Sequence, residues 1–229
     1  MTYRCYYRKE YKNMIQNLNE ELFSFIKKSP TGFHAVHELA NYLTEAGFEC
    51  LAEGNTWNLA EGGKYFVTRN QSAIIAFKVS RKDYSGFHIA ASHSDSPTLK
   101  IKESSEMNPE IEAEGHYVKL NVEKYGGMLC APWFDRPLSV AGRIIVKDGN
   151  RLTTKLINVD RDLLMIPNLA IHMNREVNDG YKYNIQKDML PLYRMSNSGK
   201  AFKEMIAEEA GVSVDQIKGM DLFLYNRME

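Results

Sequence analysis

The residues of this chain best suited to chemistry stand together as His93-Ser94-Asp95. A neutral imidazole is a good ligand for a borderline metal such as zinc. A carboxylate two positions on can accept a hydrogen bond from the other ring nitrogen, fixing the tautomer and raising ligand basicity. One His beside one Asp is not a complete site, because zinc takes about three or four protein ligands. Spacing alone leaves two readings open, a metal ligand with its orienting carboxylate or a polar apex with a hydrogen-bonded His. His34 and His37 can share a helix face, but no thiol or carboxylate pattern accompanies them, so surface or capping roles are expected. His172 closes an apolar segment, and spacing gives it no role. Cys5, Cys50 and Cys130 form no CxxC motif. Reduced thiols in a cytoplasmic protein are expected, with Cys50 as a small buried hydrophobe.

The elements that must position these groups follow from periodicity and punctuation. Gly86–Lys102 reads as an apolar strand over 87–91, a polar apex at His93–Pro97, and a second, alternating strand with Leu99 and Ile101 on one side and Lys100 and Lys102 on the other. Strand ends are where α/β proteins keep their sites. A first helix is predicted over 12–28, with Ile15, Leu18, Leu22 and Phe25/Ile26 on its apolar face. A second spans 33–46, with Val36, Leu39, Ala40 and Leu43 inward and Gly47 ending it. "KYFVTR" and "SAIIAFKV" flank Asn70-Gln71 and predict a hairpin. The stretch 103–115, with Glu103, Glu106, Glu110, Glu112 and Glu114, reads as a loop or boundary. Strands follow at "HYVKLNVEKY" and on either side of Asp148-Gly149. Asp135-Arg136 reads as a salt-bridged corner beside buried Trp133 and Phe134. A short strand near 189–193, a helix over 201–210 stopped by Gly211, and a strand over 221–225 complete the series.

The chain has 229 residues, 44% of them hydrophobic, enough to bury a core. Lys+Arg and Asp+Glu number 29 each, so there is no basic excess for nucleic acid or for polybasic membrane attachment. No apolar run reaches the length of a membrane span, and the N-terminal stretch lacks a signal-peptide h-region. The expected class is α/β: residues 1–102 as one unit, a mainly β unit over 103–219, and a return to the first unit over 220–229.

Four stretches in this order, "SPTGFHAV" at 29–36, "SHSDSP" at 92–97, "YGGMLCAPWFDRPLSVAGR" at 125–143 and "IPNLAIHMNR" at 166–175, resemble the N-terminal part of the M18 family of aminopeptidases. The resemblance implies a binuclear metal peptidase, usually with zinc, that removes an N-terminal, often acidic, residue from peptides. It implies an α/β metallopeptidase (phosphorylase/hydrolase-like) domain interrupted by a β-rich insertion that mediates homo-oligomerisation. His93 matches the family's first metal-ligand histidine, and Asp95 the aspartate that orients it. His172 matches a histidine that reaches a neighbouring subunit's active site and contacts substrate.

The departures from that pattern carry their own expectations. Complete members place a bridging aspartate, a Glu-Glu pair, another aspartate and a late histidine after the insertion, and this chain reaches Glu229 first. Glu208-Glu209 is out of order for that pair and belongs to an amphipathic helix. Ser94 stands where the family usually has Thr. The chain is therefore expected to be the front portion of such an enzyme and silent alone, with Ile74, Ile75 and Ile89 lacking partners. The competing reading is a non-catalytic oligomerisation module.

Overall fold

The computed structural model describes residues 3–81, 83–107 and 115–228, with side chains from residue 14 onward. The chain divides by its contacts into two units, Met1–Asp95 and Ser96–Glu229. This division lies earlier than the change expected at 102/103. The cause is the strand entered at Thr98, which does not stop at Lys102 but runs on to Met107 and pairs wholly within the second unit. The glutamate-rich stretch is thus strand as far as Met107, and 108–114 lie outside the described residues, as does Lys82 of the expected 81–86 loop.

The first unit holds helices α1 (Tyr3–Lys28) and α2 (Gly32–Glu45) and strands β1 (Glu49–Leu51), β2 (Lys64–Arg69) and β3 (Ala73–Lys78). The order is β1-β2-β3, with β1 parallel to β2 and β3 antiparallel to it. Residues 70–72 connect the hairpin, with Asn70 and Gln71 in left-handed backbone and Ser72 N donating to Arg69 O at 3.1 Å. At the end of α2, Gly47 (φ 79°) and the bonds from Gly47 N to Thr44 O and Phe48 N to Leu43 O close the helix.

Three expectations fail here. The apolar stripe of α1 is exposed, Leu18 to 62%, although Phe25 reaches Tyr42 at 6.2 Å between ring centroids. Periodicity identifies an amphipathic face but not its cover. Cys50 is exposed rather than buried: it lies on β1, an edge strand of this sheet among the described residues, and its face of the strand is uncovered. Residues 87–91 form no strand. Strand composition does not suffice, since backbone N–H and C=O groups need a ladder partner, and among the described residues none pairs with this run. Ile89 is accordingly 84% exposed, and Ile75 is exposed too.

The second unit is built on one antiparallel sheet of order β7-β6-β9-β4-β5-β8. Its strands are β4 (Thr98–Met107), β5 (Tyr117–Tyr125), β6 (Leu138–Asp148), β7 (Arg151–Asn158), β8 (Leu192–Met195) and β9 (Ile217–Asn226). Alternation is clean in β5, where Val118, Leu120 and Val122 are fully buried between polar neighbours. The expected hairpin at Asp148-Gly149 joins β6 to β7. The final strand, β9, lies between β6 and β4 in this same sheet, so residues from 220 onward stay with the second unit. A short helix α3 (Ile185–Asp188) escaped the sequence reading. Helix α4 (Phe202–Ala210) covers the sheet with Phe202, Met205 and Ile206, and Gly211 caps it in left-handed backbone, both as expected.

Candidate metal centre

His93 sits on an irregular segment that leads into β4. Its Nδ1 lies 3.1 Å from Asp95 Oδ1. If that nitrogen carries the proton, the carboxylate accepts it, and Nε2 keeps its lone pair as the donor for a metal. The imidazole is 92% exposed and the carboxylate 40%. Two further contacts seat this apex in the first unit. Ser94 Oγ donates to Ser72 O at 2.9 Å, just before β3. Gly32, the first residue of α2, lies so near that a Cβ there would be 3.2 Å from Asp95 Cβ and 3.3 Å from Ser94 O. Sequence reasoning missed both, though the glycine in "SPTGFH" was a signal that backbone approaches something there.

His34 has a different part. It is buried in the first turn of α2, with Nδ1 2.8 Å from Thr31 Oγ1. Burial, aided by nearby His37, lowers its pKa to about 4. The ring is thus neutral near pH 7, and the Thr31 hydroxyl can donate to an unprotonated Nδ1. This is a packed pair with the N-cap residue at the helix start; of the surface or capping roles expected of His34, the surface one does not hold. His37 stays exposed.

His172 is exposed on a turn of the second unit. The neighbouring corner differs from expectation. Asp135 turns to Asn168, not to Arg136. Asp135 Oδ1 accepts from Asn168 N at 2.9 Å and Oδ2 from Asn168 Nδ2 at 2.7 Å. The backbone donor and then the side-chain donor hold the Asp135 carboxyl below its usual range. Glu208 and Glu209 lie on α4 and face Lys200 and Arg161 respectively, so they are engaged in surface ion pairs.

Among the described residues, no three His, Cys, Asp or Glu side chains come together as a metal-binding group. What the first unit offers is one anchored imidazole, whose donor chemistry fits a single ligand position of a zinc ion. Fold and candidate site together define a mixed α/β chain with an exposed His-X-Asp pair whose chemistry suits a metal ligand and its orienting carboxylate.

Comparison with known proteins gives the family. A family model described as "Aminopeptidase I zinc metalloprotease (M18)" matches residues 25–229, and the chain belongs to that family. A probable M18 family aminopeptidase 2 of Clostridium acetobutylicum is 48% identical over 215 residues, covering 90% of this chain and 48% of the relative. Its counterpart in Clostridium novyi is 45% identical over 222 residues, covering 93% and 50%. The chain thus spans about half the length of these curated relatives. Among solved structures, Ape4 in its complex with Nbr1 superposes with a TM-score of 0.81 at 34% identity, covering 90% of this chain and 43% of that one. Chaetomium thermophilum mApe1 superposes at 0.79 and 33% identity, covering 93% and 51%.

Proposed function

We propose that this chain forms part of a zinc-dependent aminopeptidase that hydrolyses the N-terminal residue of peptides. The observation that carries the reading is the His93 Nδ1–Asp95 Oδ1 contact at 3.1 Å, in a chain that belongs to the M18 family from residue 25 onward. His93 would hold a metal ion through Nε2, and Asp95 would keep the ring in the required tautomer. When bound, a pair of divalent ions supplies Lewis acidity toward the scissile carbonyl and lowers the pKa of a water. His172 would contact the substrate in a neighbouring subunit, donating a hydrogen bond to the oxygen that gains charge.

The remaining ligands and the general base are proposed to lie outside these 229 residues, which alone are then silent. The absence of a three-residue metal group among the described residues supports this. Homo-oligomerisation is assigned to the β-rich unit, as the inserted domain of the family. A preference for acidic N-terminal residues rests on the family resemblance. Unpaired Cys50 and Cys130 support a cytoplasmic setting, and no helix among the described residues is long and apolar enough to cross a membrane.

The test is to read the coding frame beyond Glu229, express the longest polypeptide in frame with these residues, and assay zinc-dependent release of N-terminal residues from peptides. The 229-residue chain is assayed in parallel. Activity in the longer product that disappears in His93→Ala is expected. Chelator-sensitive aminopeptidase activity in the 229-residue chain alone would sink the claim that it is silent.

A further inference from the structure

We infer that Asp135 is a positioning residue for His172, fixing the segment from which that imidazole projects; the inference rests on His172 contacting substrate. Asp135 adopts φ 55°, a left-handed conformation uncommon for residues other than glycine but open to Asp and Asn. Its backbone N–H donates to Ile166 O at 2.9 Å, beside the parallel bridge between buried Phe134 and Ile166. Its carboxylate then takes both donors of Asn168, the backbone N–H and the side-chain amide. Pro167 lies between these anchor points and restricts the chain further.

From Asn168 the backbone turns outward. Met173 N and Asn174 N both donate to Ala170 O, closing a turn that has His172 on it. Leu169, Ile171 and Met173 are exposed, so apolar packing within this unit does little to hold the turn. The same segment forms one wall of a cavity of about 110 Å³, lined by Phe134, Pro167, Asn168, Asn174 and Tyr183 among others. The Asp135–Asn168 pair therefore ties an exposed, weakly packed turn to the buried Phe134–Ile166 corner. A carboxylate suits this task because it accepts at both oxygens. An asparagine at this position would tolerate the backbone, but its neutral amide makes weaker hydrogen bonds than the carboxylate and requires the Asn168 amide to turn over before its oxygen meets the new NH₂.

The test compares Asp135→Asn, Asn168→Ala and the exchanged pair Asp135→Asn/Asn168→Asp. In the exchanged pair the new amide still accepts the backbone N–H of residue 168 and donates its NH₂ to the new carboxylate. Hydrogen exchange is followed in the 229-residue chain, and kcat and KM in the longest polypeptide encoded in frame with it. Asp135→Asn is expected to speed exchange over 168–174 by about tenfold. It should lower kcat by about tenfold or more, with KM within about twofold. The exchanged pair should recover both. If Asp135→Asn does not fold, Asn168→Ala removes the side-chain half of the contact while leaving residue 135 and the backbone N–H of residue 168 in place. The inference falls alone if His172→Ala lowers kcat while neither Asp135→Asn nor Asn168→Ala changes exchange or kcat, or if the exchanged pair shows no recovery. Unchanged kcat in His172→Ala overturns the reading of His172 itself.

Discussion

Gly32 and Asp95, distant in sequence, meet so closely that a Cβ on Gly32 would stand 3.2 Å from Asp95 Cβ. The start of α2 thus serves as a backbone platform for the His-X-Asp apex. In Gly32→Ala two effects compete. Alanine favours the helix by up to about 1 kcal/mol, while the apex must yield by a few tenths of an ångström. Stability should change by less than about 1 kcal/mol, because Ser94 and Asp95 belong to an irregular segment that can shift. The amide NMR signals of Ser94 and Asp95 should nevertheless move, and more so in Gly32→Val. Unchanged signals in both variants would show that the platform does not constrain the apex.

The His93–Asp95 pair makes a graded prediction for metal binding. In the longest in-frame polypeptide, Asp95→Ala removes the partner of Nδ1 and leaves the ring free to rotate and change tautomer. Zinc affinity should fall by about 10–100-fold. His93→Ala removes the proposed ligand outright and should cost more. Asp95→Asn keeps a carbonyl oxygen that can accept from Nδ1 and should lie between Asp95→Ala and the parent. Competition with a chelator of known affinity gives the order, and a zinc affinity in Asp95→Ala equal to the parent's would remove Asp95 from the site.

His34 should make the first unit acid-sensitive. Its folded pKa, about 4, is below its ordinary value of 6.5, first through burial and then through His37. Between those values the unfolded chain binds more protons, so stability rises with pH. The contribution is complete above about pH 6.5 and is lost as pH falls toward 4. Its size is on the order of 2 kcal/mol after allowance for residual solvent contact. An NMR titration of the His34 ring should give a pKa near 4, and urea unfolding should show weaker stability at about pH 5 than at about pH 7. A ring titrating near 6.5 would contradict the buried neutral pair with Thr31.

How much of this was legible in sequence depended on whether the signal was local. The β2–β3 hairpin, the alternation of β5 and the Gly211 stop of α4 each lie within a few consecutive residues, and all are present in the structure. The 87–91 run had equally good strand composition, but a strand exists only with a partner, and pairing is not a local property. Cys50 and the α1 stripe failed similarly, since burial depends on what covers a face. At the site, His93 and Asp95 were visible because they are two residues apart. The Ser94–Ser72 bond, the Gly32 approach and the Asp135–Asn168 pair join segments that no spacing rule connects. Asp135 was assigned to Arg136 because adjacency was the only guide, and the left-handed turn at 135 sends the carboxylate elsewhere.

Gly142 marks the most demanding backbone contact in the second unit's sheet. It lies in β6 opposite Leu222 of β9, within a register that continues from Leu138↔Asn226 to Ile144↔Met220. A Cβ at 142 would lie 2.0 Å from Asp221 O and 2.9 Å from Leu222 Cα. Both obstacles are backbone atoms of the adjoining strand, so no rotamer change can relieve them, and φ at 155° disfavours a side chain as well. Displacing β9 would also disturb Asp221. Burial pushes the Asp221 carboxyl up, but hydrogen bonds and ion pairs with Lys100 and Arg143 outweigh this and hold it below its usual range. Gly142→Ala should therefore cost about 3 kcal/mol or more and reduce soluble yield. Gly219→Ala in the same sheet is the control, because a Cβ there meets only the flexible Ile145 Cδ1 at an ordinary 3.6 Å. Denaturant unfolding of both variants measures the difference, and a Gly142→Ala protein as stable as Gly219→Ala would mean that the β6–β9 register is looser than this contact requires.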